Sequence, residues 1–130
     1  MGLAVCISAC TRRVPTATPT AGPLILDTQE GLASFYGEAF QGRITASGKP
    51  FDMNAMVAAH PRYPFGTLVR VTNLTNDQSI NVRVQDRGPA QQVQAEGVII
   101  DVSRGAAEAL GFVRQGRVRV RLEVLEWGVF

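Results

Sequence analysis

Hydrophobic and polar residues follow short repeating patterns along most of the chain. Val69 and Val71 alternate with polar neighbours, and Val118, Val120 and Leu122 do the same near the end. Strict alternation predicts strands with one buried face, and short apolar runs predict strands buried on both faces. The segments predicted as strands are Leu32–Tyr36, Leu68–Asn73, Ser79–Gln85, Val98–Val102 and Val118–Leu125.

Turn and cap residues separate these segments. Asn76 and Asp77 lie between two alternating segments and predict a β-hairpin. Ser103 is placed to cap one short helix over Arg104–Leu110, and Gly111 follows where a left-handed stop is favoured. Many short strands with one short helix predict a mainly β fold, a small closed barrel.

The first thirty residues have a different composition. Both cysteines, Cys6 and Cys10, lie in an apolar segment of small residues, and Ile7-Ser8-Ala9-Cys10 fits the lipobox of bacterial lipoproteins. The alternative is a truncated ordinary signal or a wrongly chosen start codon. Residues 11–30 are rich in Pro and Thr, which is typical of a flexible, disordered tether. We therefore predict a lipoprotein signal over 1–10, a linker over 11–30 and one barrel domain over 31–126.

Charge and composition exclude several classes of function. A formal net charge of +2 is too small to indicate nucleic-acid binding, and a single His without clustered Cys offers no metal-ligand set. The sequence contains no run of 18 or more apolar residues that could span a membrane. We expect no metal, no cofactor and no nucleic-acid partner.

Two acidic residues and the single histidine are considered for a functional or a structural role. Asp86 ends a predicted strand, and the turn sequence Arg-Gly-Pro follows it. His60 ends the apolar run Met56–Ala59, and by itself such a residue is more often structural than catalytic. Asp101 lies two residues before the helix cap and is interpreted as a helix-entry residue.

Several motifs together resemble those of the rare lipoprotein A (RlpA) family. They are Ala33-Ser34-Phe35-Tyr36-Gly37, Gly42–Gly48, Ala58-Ala59-His60, Pro64-Phe65-Gly66-Thr67, Val69–Asn73, Asp86-Arg87-Gly88-Pro89 and Ile100-Asp101-Val102-Ser103. They occur in the order and at the spacing of that family. The resemblance implies a six-stranded double-psi β-barrel and a peptidoglycan lytic transglycosylase that cleaves glycan strands to 1,6-anhydro products.

The same resemblance implies roles for individual residues. Asp86 is expected to be the catalytic acid and base, and His60 is expected to support it in a shared groove. Residues expected to bind substrate are Lys49, Arg87, Tyr36, Thr45 and Ser47, with Lys49 on the rim. We also expect a monomer in the cell envelope, anchored to a bacterial membrane by a lipid on Cys10.

One residue departs from the pattern of the RlpA family. The chain has Ser47-Gly48-Lys49 where active members resemble Ser-Gly-Glu, and Lys49 is the only lysine. An ammonium group close to Asp86 would favour the ionised carboxylate, which cannot donate a proton. Two functions therefore stay open, a transglycosylase that uses Asp86 and His60 and a non-catalytic barrel that binds peptidoglycan glycan.

Overall fold

The computed structural model describes residues 24–129. The predicted signal with Cys10, and the linker up to residue 23, lie outside the described residues. The strands are β1 (Asp27–Tyr36), β2 (Val57–Ala59), β3 (Leu68–Asn73), β4 (Ser79–Asp86), β5 (Val98–Ser103) and β6 (Val118–Glu126). The helices are α1 (Gln91–Gln94) and α2 (Arg104–Leu110), with a 3-10 turn at Glu38–Phe40.

The described strands form one closed barrel in the order β1-β5-β2-β4-β3-β6, with β6 returning to β1. The pairs β1–β5 and β2–β4 are parallel, and the other four pairs are antiparallel. The prediction of a small six-stranded, mainly β barrel is confirmed.

Alternating side chains fill the barrel interior. In β3, Val69 and Val71 are fully buried, and the same holds for Val82 and Val84 in β4. Helix α2 begins at the cap Ser103, whose side chain accepts a hydrogen bond from the N–H of Ala106. It ends at Gly111 in the left-handed conformation, with φ of 79°.

The structure differs from the sequence prediction at three places. Strand β1 begins at Asp27, inside the predicted linker of residues 11–30. Its residues Asp27 to Glu30 pair with β6, although none of them is fully buried. Strand β2 is only three residues long and entirely buried, so it shows no alternation. Helix α1 is a single turn after Pro89, too short to produce a helical period.

No helix among residues 24–129 combines the length and the apolar character that crossing a bilayer requires.

Candidate active site

Asp86 is the last residue of β4, and a register shift turns its side chain outward. Val84 pairs with Ala58 of β2, whereas Asp86 pairs with Ala59, so β4 has one extra residue at this point. Such an irregularity re-aims the following side chain. Asp86 therefore leaves the inward phase of the buried Val82 and Val84 and faces the surface beside Ala59.

Backbone amides hold the Asp86 carboxylate in place. Its Oδ1 accepts hydrogen bonds of 2.9 Å from the N–H of Ala46 and 2.9 Å from the N–H of Arg87. Both hydrogen bonds are made to the same oxygen, so they fix the orientation of the carboxyl group. The other side of the carboxylate opens on a pocket.

This pocket, the Asp86 pocket, has a volume of about 210 Å³. Its lining residues are Tyr36, Phe40, Ala59, Asp86, Arg87, Gly88, Pro89, Ala90 and Asp101. Gly88 has φ of +145°, a backbone conformation that side-chain-bearing residues rarely adopt. The glycine thus allows the Asp-Arg-Gly-Pro turn to follow the wall of the pocket.

The hydroxyl of Tyr36 is buried and has no hydrogen-bond partner among the described residues. The Tyr36 ring stacks on Phe51, with ring centroids 4.3 Å apart. Burial, followed by the negative charges of Asp86 and Asp101, raises the pKa of the Tyr36 hydroxyl far above its usual value. A neutral, buried O–H without a partner is rare, and this one keeps an unused hydrogen-bond donor beside the pocket that the Tyr36 residue lines.

Asp101 is a member of this site that the sequence interpretation missed. Ser103, and not Asp101, caps helix α2, and the Asp101 carboxylate instead accepts a hydrogen bond from the Ser34 hydroxyl. Burial raises the pKa of Asp101, against the opposing effects of the Ser34 hydrogen bond and the Arg117 charge. The interpretation of Asp101 as a helix-entry residue is therefore wrong.

The loop before Phe51 carries three of the predicted substrate-binding residues. Thr45 is buried and bonds the carbonyl oxygen of Lys49 through both its N–H (2.9 Å) and its hydroxyl (2.7 Å). The N–H of Ser47 donates to the carbonyl of Gln85 at 3.1 Å, which ties the loop to the end of β4. Thr45 shapes the loop, whereas Ser47 lies on the surface of a groove.

That groove has a volume of about 410 Å³ and adjoins the end of β4. Its lining residues are Ser47, Lys49, Phe65, Gly66, Arg83, Val84, Gln85 and Val129. We call it the Lys49 groove. Within the described chain, Lys49 forms no ion pair with Asp86 and does not line the Asp86 pocket.

The side chain of His60 is buried and engaged by protein groups on both nitrogens. Nδ1 accepts hydrogen bonds of 3.0 Å from the N–H groups of Arg62 and Tyr63, and Nε2 lies 3.2 Å from Oε1 of Gln29. The ring stacks on Tyr63, with centroids 3.7 Å apart. Burial first, and then the charges of Arg87 and Arg62, lower the pKa of His60 to about 4.

His60 therefore does not share a groove with Asp86. It lines a separate pocket of about 180 Å³ that also contains Gln29 and Gln94. The local turn after Pro61 folds two N–H groups onto Nδ1 and holds the ring there. The two residues still meet through the backbone, because the N–H of His60 donates to the carbonyl of Asp86 at 3.1 Å.

Arg87 connects these parts of the site. Its guanidinium group donates to the carbonyl oxygens of His60 (3.3 Å) and Tyr63 (2.9 Å) and lies 4.0 Å from the centroid of the Phe65 ring. Arg87 thus links the His60 turn to the backbone beside Asp86. Within residues 24–129, no three His, Cys, Asp or Glu side chains are grouped as metal ligands.

Comparison with known proteins identifies the family of the domain. The family described as "Lytic transglycolase" matches residues 28–122. The chain is 42% identical over 102 residues to the endolytic peptidoglycan transglycosylase RlpA of Campylobacter jejuni, covering 78% of this chain and 36% of that protein. It is 51% identical over 96 residues to the protein of the same name from Neisseria meningitidis serogroup A, covering 74% of this chain and 38% of that protein. The chain therefore spans less than two fifths of the length of these relatives.

Two solved structures share the fold. A Streptomyces papain inhibitor superposes with a TM-score of 0.62 at 22% identity, covering 78% of this chain and 97% of the inhibitor. An expansin of Clavibacter michiganensis superposes with a TM-score of 0.60 at 21% identity, covering 80% of this chain and 53% of the expansin. At this identity the likeness concerns the fold alone. The family match and the two RlpA relatives go further, and the chain belongs to the lytic transglycolase family of double-psi β-barrels.

Proposed function

We propose that the domain is a lytic transglycosylase that cleaves peptidoglycan strands between N-acetylmuramic acid and N-acetylglucosamine. The observation that carries the proposal is the Asp86 carboxylate, fixed by two backbone N–H groups at the mouth of an open pocket. The relatives in the same family are named endolytic peptidoglycan transglycosylases. Because the chain covers only part of their length, their activity is a proposal for this chain.

The reaction needs a proton donor and a proton acceptor but no water. The donor protonates the glycosidic oxygen while the bond from that oxygen to C1 of muramic acid breaks. The 6-hydroxyl oxygen of the same sugar bonds to C1, and its proton passes to a carboxylate, which leaves a 1,6-anhydro end. In a single-carboxyl scheme Asp86 performs both transfers, and its ionised form is suited to the second.

His60 has an indirect part in this proposal. Its ring nitrogens are occupied by the Pro61–Tyr63 turn and Gln29, so it is suited to position other groups and not to exchange protons with sugar. The carbonyl groups of that turn receive the Arg87 guanidinium, and Arg87 donates its N–H to Asp86. We propose His60 as a positioning residue for Arg87 and, through it, for Asp86.

The two openings beside the end of β4 suit a sugar chain. Tyr36 and Arg87 line the Asp86 pocket, and Ser47 and Lys49 line the neighbouring groove. Muramic acid and its stem peptides bear carboxylates, which a cationic groove attracts. A mutant of the Clavibacter expansin was solved in complex with cellohexaose, and it superposes with a TM-score of 0.59 at 20% identity, covering 77% of this chain and 51% of that chain. A glycan strand that passes both openings would bring a glycosidic bond to Asp86.

A non-catalytic glycan-binding barrel is the second candidate. Lys49 favours it, because a lysine stands where the RlpA resemblance expects a glutamate. Lys49 is exposed, so solvent screens its effect on Asp86, and a charge change there is expected to alter activity only several-fold. Binding needs no proton transfer and would remain in either case.

Digestion of purified sacculi and of peptide-free glycan strands tests the two candidates. Mass spectrometry is used to detect 1,6-anhydro ends, and a pelleting assay measures binding. We expect the chain to release anhydro products and Asp86→Asn to reduce their release by at least about 100-fold with binding retained. Lys49→Glu should raise the rate and Lys49→Gln should give an intermediate value. Binding without any anhydro product from wild type or Lys49→Glu would favour the non-catalytic candidate.

We also propose that the protein acts in the cell envelope, held at a membrane by a lipid on Cys10. A peptidoglycan substrate supports the envelope location, and the Ile7-Ser8-Ala9-Cys10 sequence supports the anchor. A monomer suffices for this function, since both openings are formed by one chain.

A further inference from the structure

Strand register places two carboxylates in one row on the outer face of the barrel. Ala59 of β2 pairs with Asp86 of β4 on one side and with Asp101 of β5 on the other. Asp101 in turn pairs with Ser34 of β1. Paired residues of neighbouring strands point to the same face. The row is therefore Asp86, Ala59, Asp101 and Ser34, in that order across four strands.

A small residue separates the two carboxylates. Their Cα atoms are two strand spacings apart, roughly 10 Å. The methyl side chain of Ala59 leaves the space between them open, and both carboxylates line the Asp86 pocket. Tyr36 lines the same pocket, and its buried, unpartnered hydroxyl is close enough to both acids for their charges to act on it. A ligand that enters the pocket meets both acids.

The two acids have different surroundings. Asp86 accepts hydrogen bonds from two backbone N–H groups, which orient it as an acceptor. Asp101 has one side-chain hydrogen bond in the described structure, to the Ser34 hydroxyl, and a hydroxyl can pair with either form of a carboxyl group. The Asp86 carboxyl is therefore placed to accept a proton, and the Asp101 carboxyl can hold one.

We propose that Asp101 is the second catalytic carboxyl of this pocket and donates the proton to the glycosidic oxygen, while Asp86 accepts the proton of the 6-hydroxyl. The inference rests on the proposed function and divides its two proton transfers between two residues. After one cleavage Asp101 is ionised and Asp86 is protonated, and exchange of one proton with solvent restores the starting state. No further reactant is needed.

The electrostatics of the pocket agree with this division. Burial raises the pKa of Asp101, so the proton is retained to higher pH than in an exposed aspartate. Arg117 and the Ser34 hydroxyl oppose that effect, and Tyr36, Asp86 and Arg87 are the other titratable groups on the pocket wall. Paired carboxyl groups acquire separate acid and base roles when their environments differ in this way.

The test compares two substrates that differ in leaving group. Peptide-free glycan strands have a sugar alcohol as leaving group and need a proton donor. A 4-nitrophenyl β-glycoside of N-acetylmuramic acid releases nitrophenolate, which needs little or no protonation. We expect Asp101→Asn to reduce cleavage of strands by at least about 100-fold but cleavage of the aryl glycoside by less than about fivefold. Asp86→Asn should reduce both.

Asp77→Asn is the matched control. Asp77 is an exposed turn residue with φ of 63°, a conformation that Asn tolerates, and it lies outside the pocket. It should match wild type on both substrates. If Asp101→Asn fails to fold, Ser34→Ala provides the test, because removal of that hydroxyl should shift the alkaline limb of the pH profile on strands to higher pH.

Each result of the comparison has a defined meaning. The donor role of Asp101 would be overturned if Asp101→Asn cleaved strands at the wild-type rate, or if its cleavage rate fell equally on both substrates. Either result would leave the proposed function intact. If the alkaline limb of the pH profile does not move in Ser34→Ala, the donor role of Asp101 is likewise overturned. A wild-type protein inactive on both substrates would overturn the proposed function and this inference together.

Discussion

The imidazole of His60 is held in one neutral form by its neighbours. Two backbone N–H groups point at Nδ1, so the ring proton belongs on Nε2, beside Gln29. A second ring proton would turn Nδ1 into a donor facing two donors. Protonation of this residue therefore opposes the native turn between Pro61 and Tyr63, and through it the contacts of Arg87.

This arrangement predicts a pH-dependent stability. The pKa of His60 is about 4 in the folded chain and near 6.5 in an unfolded chain. The unfolded state therefore binds the extra proton first, so the contribution of His60 is complete above about pH 6.5 and is lost as the pH falls towards 4. The free energy of unfolding that is lost in this way reaches about 3 kcal/mol. Urea unfolding of wild type and His60→Gln between about pH 7.5 and 4.5 measures it.

His60 is the only histidine, so the comparison isolates its titration. We expect the wild type to lose more stability than His60→Gln over that range. Asp101 contributes with the opposite sign, since its raised pKa favours the folded state at low pH, and this contribution is common to both proteins. Parallel stability curves for the two proteins would contradict the prediction.

The site is only partly predictable from the sequence, and Asp86 and Asp101 illustrate the difference. Asp86 is followed by a turn signal, so the sequence indicates a polar group at a strand end. Asp101 is one polar residue within an apolar strand, and its role depends on Ala59 and Ser34, which come from other strands. The pairing of distant strands decides such a role, and a local pattern does not reveal it.

At the scale of elements, the longer alternating strands and helix α2 are predictable because their periodicity and caps lie within each segment. Strand β2 and helix α1 are too short to show a period, and the start of β1 depends on pairing with β6. Yet β2 carries Ala59 between the two acids. The element with the weakest sequence pattern therefore holds the centre of the site.

The join between β5 and α2 depends on one hydroxyl. Ser103 is fully buried, and its Oγ accepts from the N–H of Ala106 at 3.1 Å and donates to the carbonyl of Ala55 at 2.5 Å. Ser103→Ala removes the helix cap and leaves the Ala55 carbonyl without this donor. We expect it to lower the free energy of unfolding by about 1–2 kcal/mol, measured by chemical denaturation.

A suitable control is Thr75→Ala, which removes an exposed hydroxyl from the turn between β3 and β4. It should change the free energy of unfolding by less than about 0.5 kcal/mol. Equal effects of the two substitutions would refute a special role for Ser103.

At the scale of the whole molecule, the proposed membrane location depends on Cys10, which lies outside the described residues. If Cys10 carries the lipid, Cys10→Ser should move the protein from the membrane fraction to the soluble fraction and abolish incorporation of labelled palmitate. Cys6→Ser is the matched control, because it removes the other cysteine and leaves the lipobox unchanged. Retention of the label in Cys10→Ser would exclude this attachment site.

Closure of the barrel also constrains how the chain folds. Asp27 in β1 pairs with Val124 in β6, and β6 also pairs with β3. The last strand of the barrel therefore forms backbone hydrogen bonds with two neighbouring strands and closes the barrel. A nascent chain that stops before Val118 leaves β1 and β3 with one unpaired edge each. Pairings between such distant segments slow folding. We expect the domain to remain unfolded until its final strand has been synthesised. This order of events agrees with the proposed location in the cell envelope, because an extended chain can be exported before it folds.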